Sequence, residues 1–155
     1  MDAPGWWAYI YPKNLDQFEQ PKIMLPDYHD APAAGLDPAG RYYSITAYCV
    51  TVRPDSPLTL ASVAAMLNSR LLFWTLSKIG AALQRGFVRF MPQYLDRLPM
   101  VVPSEDRIRR LEALTQAAMR NGFRAVQAEL DELVYDLYGV MPEERALLSA
   151  LGSRS

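Results

Sequence analysis

The segment MLNSRLLFW, from Met66 to Trp74, sets the tightest limit on how this chain can fold. It lies inside a stretch, residues 57–79, in which Leu60, Val63, Ala64, Leu67, Leu71, Trp74 and Leu76 recur at spacings near three and four, the period of a buried helix face. Yet Asn68, Ser69 and Arg70 stand side by side in its middle. A polar group buried without a partner costs about 1–3 kcal/mol. The spacing therefore predicts a bent or paired helix, with Ser69 capping a second segment or Asn68 bonding a neighbouring backbone. Ser62, Asn68, Ser69, Arg70, Ser77 and Lys78 also make the run over residues 58–83 too polar for a bilayer span.

Around this helix the prolines mark strands. WWAYIY (6–11) and KIML (22–25) are short aromatic or β-branched runs bounded by Pro12, Pro21 and Pro26. Residues 26–40 are rich in Pro, Gly, Ala and Asp and read as a loop of about a dozen residues, long enough to carry a function. YYSITAYCVTV (42–52) is the strongest strand candidate, and FVRF (87–90) a shorter one. From Ser104 onward the pattern is helical. Ile108, Leu111, Leu114 and Ala118 share one face; Phe123, Val126, Leu130, Leu133, Val134 and Leu137 define a second helix ending at Gly139; and Pro142 opens a third with acidic residues in its first turn. The expected architecture is α+β: a twisted, mostly antiparallel sheet on a long helix (residues 1–103), followed by a C-terminal helical hairpin packing on it (104–155).

The chain of 155 residues has one Cys and one His, which excludes an internal disulfide and removes most metal-site and triad chemistry. Cys49 follows the strand alternation and reads as packing. Asp16, Glu19 and Lys22 have the wrong spacing for a nuclease centre, since Pro21 intervenes, and His29 with Asp30 lacks a second catalytic partner. There is no G-x-G turn, no pair of adjacent prolines and no P-loop. No catalytic or metal-ligating residue is assigned, and activity of the chain by itself is not expected. Its acidic start is unlike a signal peptide, so a cytoplasmic protein without membrane attachment is expected. Trp6 and Trp7 suggest either a stacking platform or a strand face awaiting a neighbour.

Net charge is −1, but residues 41–100 hold seven basic and two acidic side chains. Six of the seven are Arg, the side chain suited to bidentate contact with phosphate and guanine.

The ordered set YPKNLDQFEQPKIML, GRYYSITAYCVTV, LASVAAMLNSRLLFWTLSKIGA, QRGFVRFMPQYLDRLPMVVP and ELDELVYDLYGVMPEE resembles the TaqI-like C-terminal specificity domain, the target recognition domain of type II adenine DNA methyltransferases and single-chain restriction-modification or phage-defence enzymes. The features that carry the likeness are Pro21 to Ile23, Leu67 to Ser69, and Leu98 to Met100. The last two are also similar to half-domains of type I specificity subunits. The resemblance implies double-stranded DNA as partner and a methyltransferase domain before residue 1, where S-adenosylmethionine would bind, with no cofactor in this chain. It places base readout on residues 27–41 and 84–93: Arg41 and Arg89 to guanine, Gln84 or Gln93 to adenine, Asp37 or Asp30 to cytosine. Lys22, Arg53, Arg70, Lys78 and Arg85 would hold phosphates. A rival expectation is a protein-interaction module carried by the C-terminal helices.

Overall fold

The computed structural model describes residues 19–80 and 86–151. The candidate strand at 6–11, with Trp6 and Trp7, lies outside them, as do Asp16, Gln84 and Arg85. Lys22–Pro26 (β1) is followed by Tyr28–His29 (β2), Gly35–Asp37 (β3) and Ala47–Val50 (β4). β3 and β4 flank β1, each antiparallel to it, with Lys22 opposite Asp37 and Ile23 opposite both Leu36 and Val50. Val88–Arg89 (β5) pairs with β2 as a separate two-stranded ribbon.

The stretch 26–40 is thus no plain loop. It holds β2 and β3, whose backbone partners are supplied by β1 and by β5, some sixty residues further on, where local composition gives no signal. Conversely, the expected strand 42–52 shrinks to Ala47–Val50. β3 and β4 point the same way on opposite edges of β1, so residues 38–46 must travel back along its length. Their backbone groups turn to side chains instead of a ladder: Asp37 accepts from the N–H groups of Arg41 and Tyr42, and the Ser44 hydroxyl accepts from Thr46. Helix α1 occupies the face of β1 bearing Ile23 and Leu25. Lys22 points to the other face, where it too is fully buried, paired with Asp37 beneath this crossover.

The apolar helical stretch divides as expected into Leu60–Leu67 (α1) and Arg70–Ile79 (α2). Thr59 and Ser62 form a capping box at the start of α1. Asn68 accepts from the Ala34 N–H at 3.0 Å and donates to the carbonyls of Ala34 at 2.7 Å and Ala64 at 2.9 Å, tying the helix break to the entry of β3. Ser69 caps α2 by accepting from Leu72 and donates to the Met66 carbonyl. The amide and the hydroxyl are therefore satisfied where they are buried.

After β5 comes a short helix, Pro92–Leu95 (α3), then Glu105–Asn121 (α4), a 3-10 turn at Phe123–Ala125, Gln127–Tyr138 (α5) and Pro142–Leu151 (α6). The second C-terminal helix starts four residues later than its periodicity suggests because the 3-10 turn takes its first residues. Gly139 ends it in the left-handed conformation at φ 64°. α1 is buried between the sheet and α4, and one hydrophobic cluster runs from Ile23 and Leu25 through Met66 to Leu111, Leu130 and Val134. The break between α1 and α2 is also held from the C-terminal side. Asp131 on α5 accepts from the Arg70 N–H at 2.8 Å, and Gln127 donates to both Asp131 and the Asn68 carbonyl at 3.1 Å. Among the described residues no helix is long and apolar enough to cross a membrane.

Candidate nucleic-acid interface

The two ends of β1 carry different groups. At its C-terminal end, β2 and β5 place Tyr28 opposite Arg89. Tyr28 is 56% exposed and meets Phe87 edge to face at 5.8 Å between ring centres. Arg89 forks onto Asp27: Nη2 donates to both carboxylate oxygens at 2.8 and 2.9 Å, and Nε to one of them at 3.3 Å. The Arg89 hydrogen bonds hold the Asp27 carboxyl below its ordinary range, outweighing the upward push of burial. Asp30 is exposed, 3.3 Å from His29 Nδ1, and Gln93 is exposed on α3. Gly80, which ends α2, lies against the Arg89 carbonyl and the Tyr94 ring, so Lys78 belongs to this end; its ammonium sits 5.5 Å from the centre of the Trp74 ring.

At the other end Arg41 and Arg53 are exposed. Between the ends runs the crossover, on which Tyr42, Tyr43 and Ile45 are 66, 72 and 90% exposed. The sequence pattern alone concealed them, because the Tyr-Tyr doublet reads as strand.

Several expected site residues stand elsewhere. Lys22 and Asp37, assigned to phosphate and to cytosine, are buried against each other at 2.7 Å and reach no partner outside the protein. The reason is register: they face each other across β1 and β3 on the covered side of the sheet. Burial pushes the Asp37 carboxyl up, but Lys22 and the N–H groups of Tyr42 and Arg41 override it and leave it well below its ordinary value. Arg70, also assigned to phosphate, turns to Asp131 with Nε at 3.5 Å from the carboxylate. Cys49, expected to pack, is exposed. Nor do the basic residues of the middle form one uninterrupted face. Arg41, Arg53, Lys78 and Arg97 are exposed, Arg70 and Arg89 are ion-paired, and the basic groups near β1 divide between its two ends.

Catalytic furniture does not assemble among the described residues. No group of three His, Cys, Asp or Glu is placed to hold a metal. Among the described residues the glycines with positive φ, at 40, 86, 122 and 139, serve the crossover, the approach to β5 and two helix ends. Residues the sequence did not single out are Asp27, Tyr28, Tyr42, Tyr43, Ile45 and Phe87. The nearest signal was the aromatic content of the segments around them.

The sequence model of the TaqI-like C-terminal specificity domain matches residues 7–100. A curated relative, the type II methyltransferase M.PaeR7I of Pseudomonas aeruginosa, is 32% identical over 135 residues, covering 86% of this chain and 22% of that protein. The chain therefore spans about a fifth of the relative's length.

Proposed function

Because this chain belongs to the TaqI-like C-terminal specificity domain family, we propose that it reads the base sequence of double-stranded DNA on behalf of a DNA adenine methyltransferase or restriction-modification enzyme, acting in the cytoplasm in defence against phage. In this reading S-adenosylmethionine and the flipped adenine are handled by a separate methyltransferase domain, and this chain supplies the choice of site. The observation that carries it is the exposed crossover. Arg41, Tyr42, Tyr43 and Ile45 lead along the sheet to a ribbon bearing Tyr28 and Arg89. A two-stranded ribbon fits the major groove. β1 is roughly 13 Å long, about four base steps, and the two arginines follow from its opposite ends, so they would address different positions in the site.

Arg41 and Arg89 are assigned to guanine, and Asp30 and Gln93 to neighbouring base edges. Arg53 and Lys78 are assigned to phosphates, which fix register without reading sequence. The C-terminal helices spend their main apolar faces on α1, which speaks against an interaction module built from them.

The test is duplex binding by fluorescence anisotropy over a salt series. Affinity should fall steeply between roughly 50 and 200 mM salt, and Lys78→Ala or Arg53→Ala should each lower the slope of log K against log salt by about one. Absence of duplex binding at low salt would overturn the proposal.

A further inference from the structure

Arg89 is an assigned base reader whose side chain the fold already holds in place at the surface. Asp27 takes the Nε and Nη2 side of the guanidinium, while no protein acceptor among the described residues takes Nη1. Asp27 is itself fixed from three directions. The Tyr48 hydroxyl on β4 donates to its Oδ1 at 3.2 Å, its own carbonyl accepts from Phe90 at 2.9 Å, and it directly follows the last residue of β1. Arg89 is 35% and Asp27 29% exposed, so the pair stands at the surface rather than inside the core.

A surface ion pair kept only for stability contributes little, and side-chain entropy opposes holding a long arginine still. A guanidinium locked on one edge by a carboxylate is different for a ligand: its free edge is already aimed, so the ordering cost of binding falls. Nη2 already bonds both carboxylate oxygens, so the free donors are the two Nη1 hydrogens, open to adjacent acceptors on one rigid ring. In the major groove the base edge with two adjacent acceptors is guanine, through O6 and N7. The carboxylate beside it also repels the acceptor atoms of a base displaced toward it.

We infer that Asp27, braced by Tyr48, is a specificity-determining positioning residue that aims Arg89 at a guanine. The inference rests on the DNA-reading function proposed above. Asp27 touches no base in this arrangement; it acts through Arg89. The carboxyl is held below its ordinary range by Arg89, consistent with a charged brace at neutral pH.

The experiment is selection of random-sequence duplexes by the 155-residue chain at low salt, followed by sequencing of the bound pool, for the wild type and for Arg89→Ala, Asp27→Asn and Tyr48→Phe. Thermal melts accompany each variant. The expected result is a wild-type motif with one guanine position that Arg89→Ala abolishes. Asp27→Asn should weaken that position alone by about tenfold, the scale of one bidentate contact, and Tyr48→Phe should weaken it less, with the other positions intact. A stability role would lower melting temperature while leaving the motif unchanged. That outcome overturns the positioning role but leaves the DNA-reading function standing. If the wild type selects no motif, the function itself fails and the inference with it. Because Arg89→Lys keeps the charge without the fork, it serves as a second probe: it should lose the guanine position as Arg89→Ala does, and retention of that position would count against a bidentate contact.

Discussion

Asp37 and Asp131 are both buried carboxyls, and their surroundings drive them in opposite directions. For Asp37, burial raises the pKa, but Lys22 and two backbone N–H groups reverse it, so the folded value lies below the ordinary 3.8. The folded state therefore gains from this group above pH 3.8, and the gain is lost as pH falls through the folded value. Asp131 is raised by burial, which its hydrogen bonds from Arg70 and Gln127 only partly offset. Its contribution has the other sign: ionising it costs folded stability as pH rises past 3.8 toward the folded value. Urea denaturation between pH 2 and 7 should show the acid-side loss flattened in Asp37→Asn. Asp131→Asn should remove a penalty at neutral pH. At neutral pH Asp37→Ala should cost about 3–5 kcal/mol, because it breaks a buried ion pair by removing one partner. Asn68 is the other residue on which one exchange tells much. Asn68→Ala leaves the buried Ala34 N–H and C=O unpaired, and a loss of about 2–4 kcal/mol is expected in equilibrium unfolding.

Among the elements, the crossover from β3 to β4 decides which groups meet solvent. Its turn depends on Gly40, at φ 62°, where an added Cβ would lie 2.2 Å from the Glu19 carbonyl oxygen. Gly40→Ala should cost at least about 1–2 kcal/mol from the left-handed conformation alone, with a further cost from displacing residues 19 and 20. The measurement is the shift in melting temperature, and an unchanged value would mean that the crossover tolerates another path. The helix break is the second such element. Asn68 holds it to the sheet, Ser69 caps α2, and Asp131 receives the first N–H of that helix from across the α5 packing. A polar triplet inside an apolar helix is thus a junction of three elements, and its arginine is drawn along the surface to the carboxylate of Asp131.

At the scale of the molecule, the boundary near residue 103 separates the sheet-bearing part from the helical part in sequence but not in the core. Met66 and Leu67 share one apolar cluster with Leu111, Leu114 and Leu130. Residues 1–103 expressed alone should therefore lack a cooperative unfolding transition, because α1 would expose the face it buries on α4. Differential scanning calorimetry against the whole chain checks this, and a sharp transition for the shorter piece would show that the sheet and α1 suffice. The same packing supports a small three-stranded sheet. Its strands are short, but one face of β1 rests on a helix that is itself held on its far side.

What the sequence determined by itself is what depends on near neighbours. The 3.6-residue period located α1, α2 and α4, Gly139 ended α5, and Ser69 capped α2. The recurrence of Pro21 to Ile23, Leu67 to Ser69 and Leu98 to Met100 in one order was enough for the family. Only the tertiary structure decided which charges face outward. Lys22 and Arg70 look in sequence like Arg53 or Lys78, yet strand register buries Lys22 against Asp37, 15 residues away, and helix docking pairs the half-buried Arg70 with Asp131, 61 residues away. Conversely, 42–46 has strand composition but no ladder, because two strands on opposite edges of β1 must be joined by a segment long enough to pass between them. Burial and pairing are set by which distant segments meet, and no local pattern of side chains encodes that.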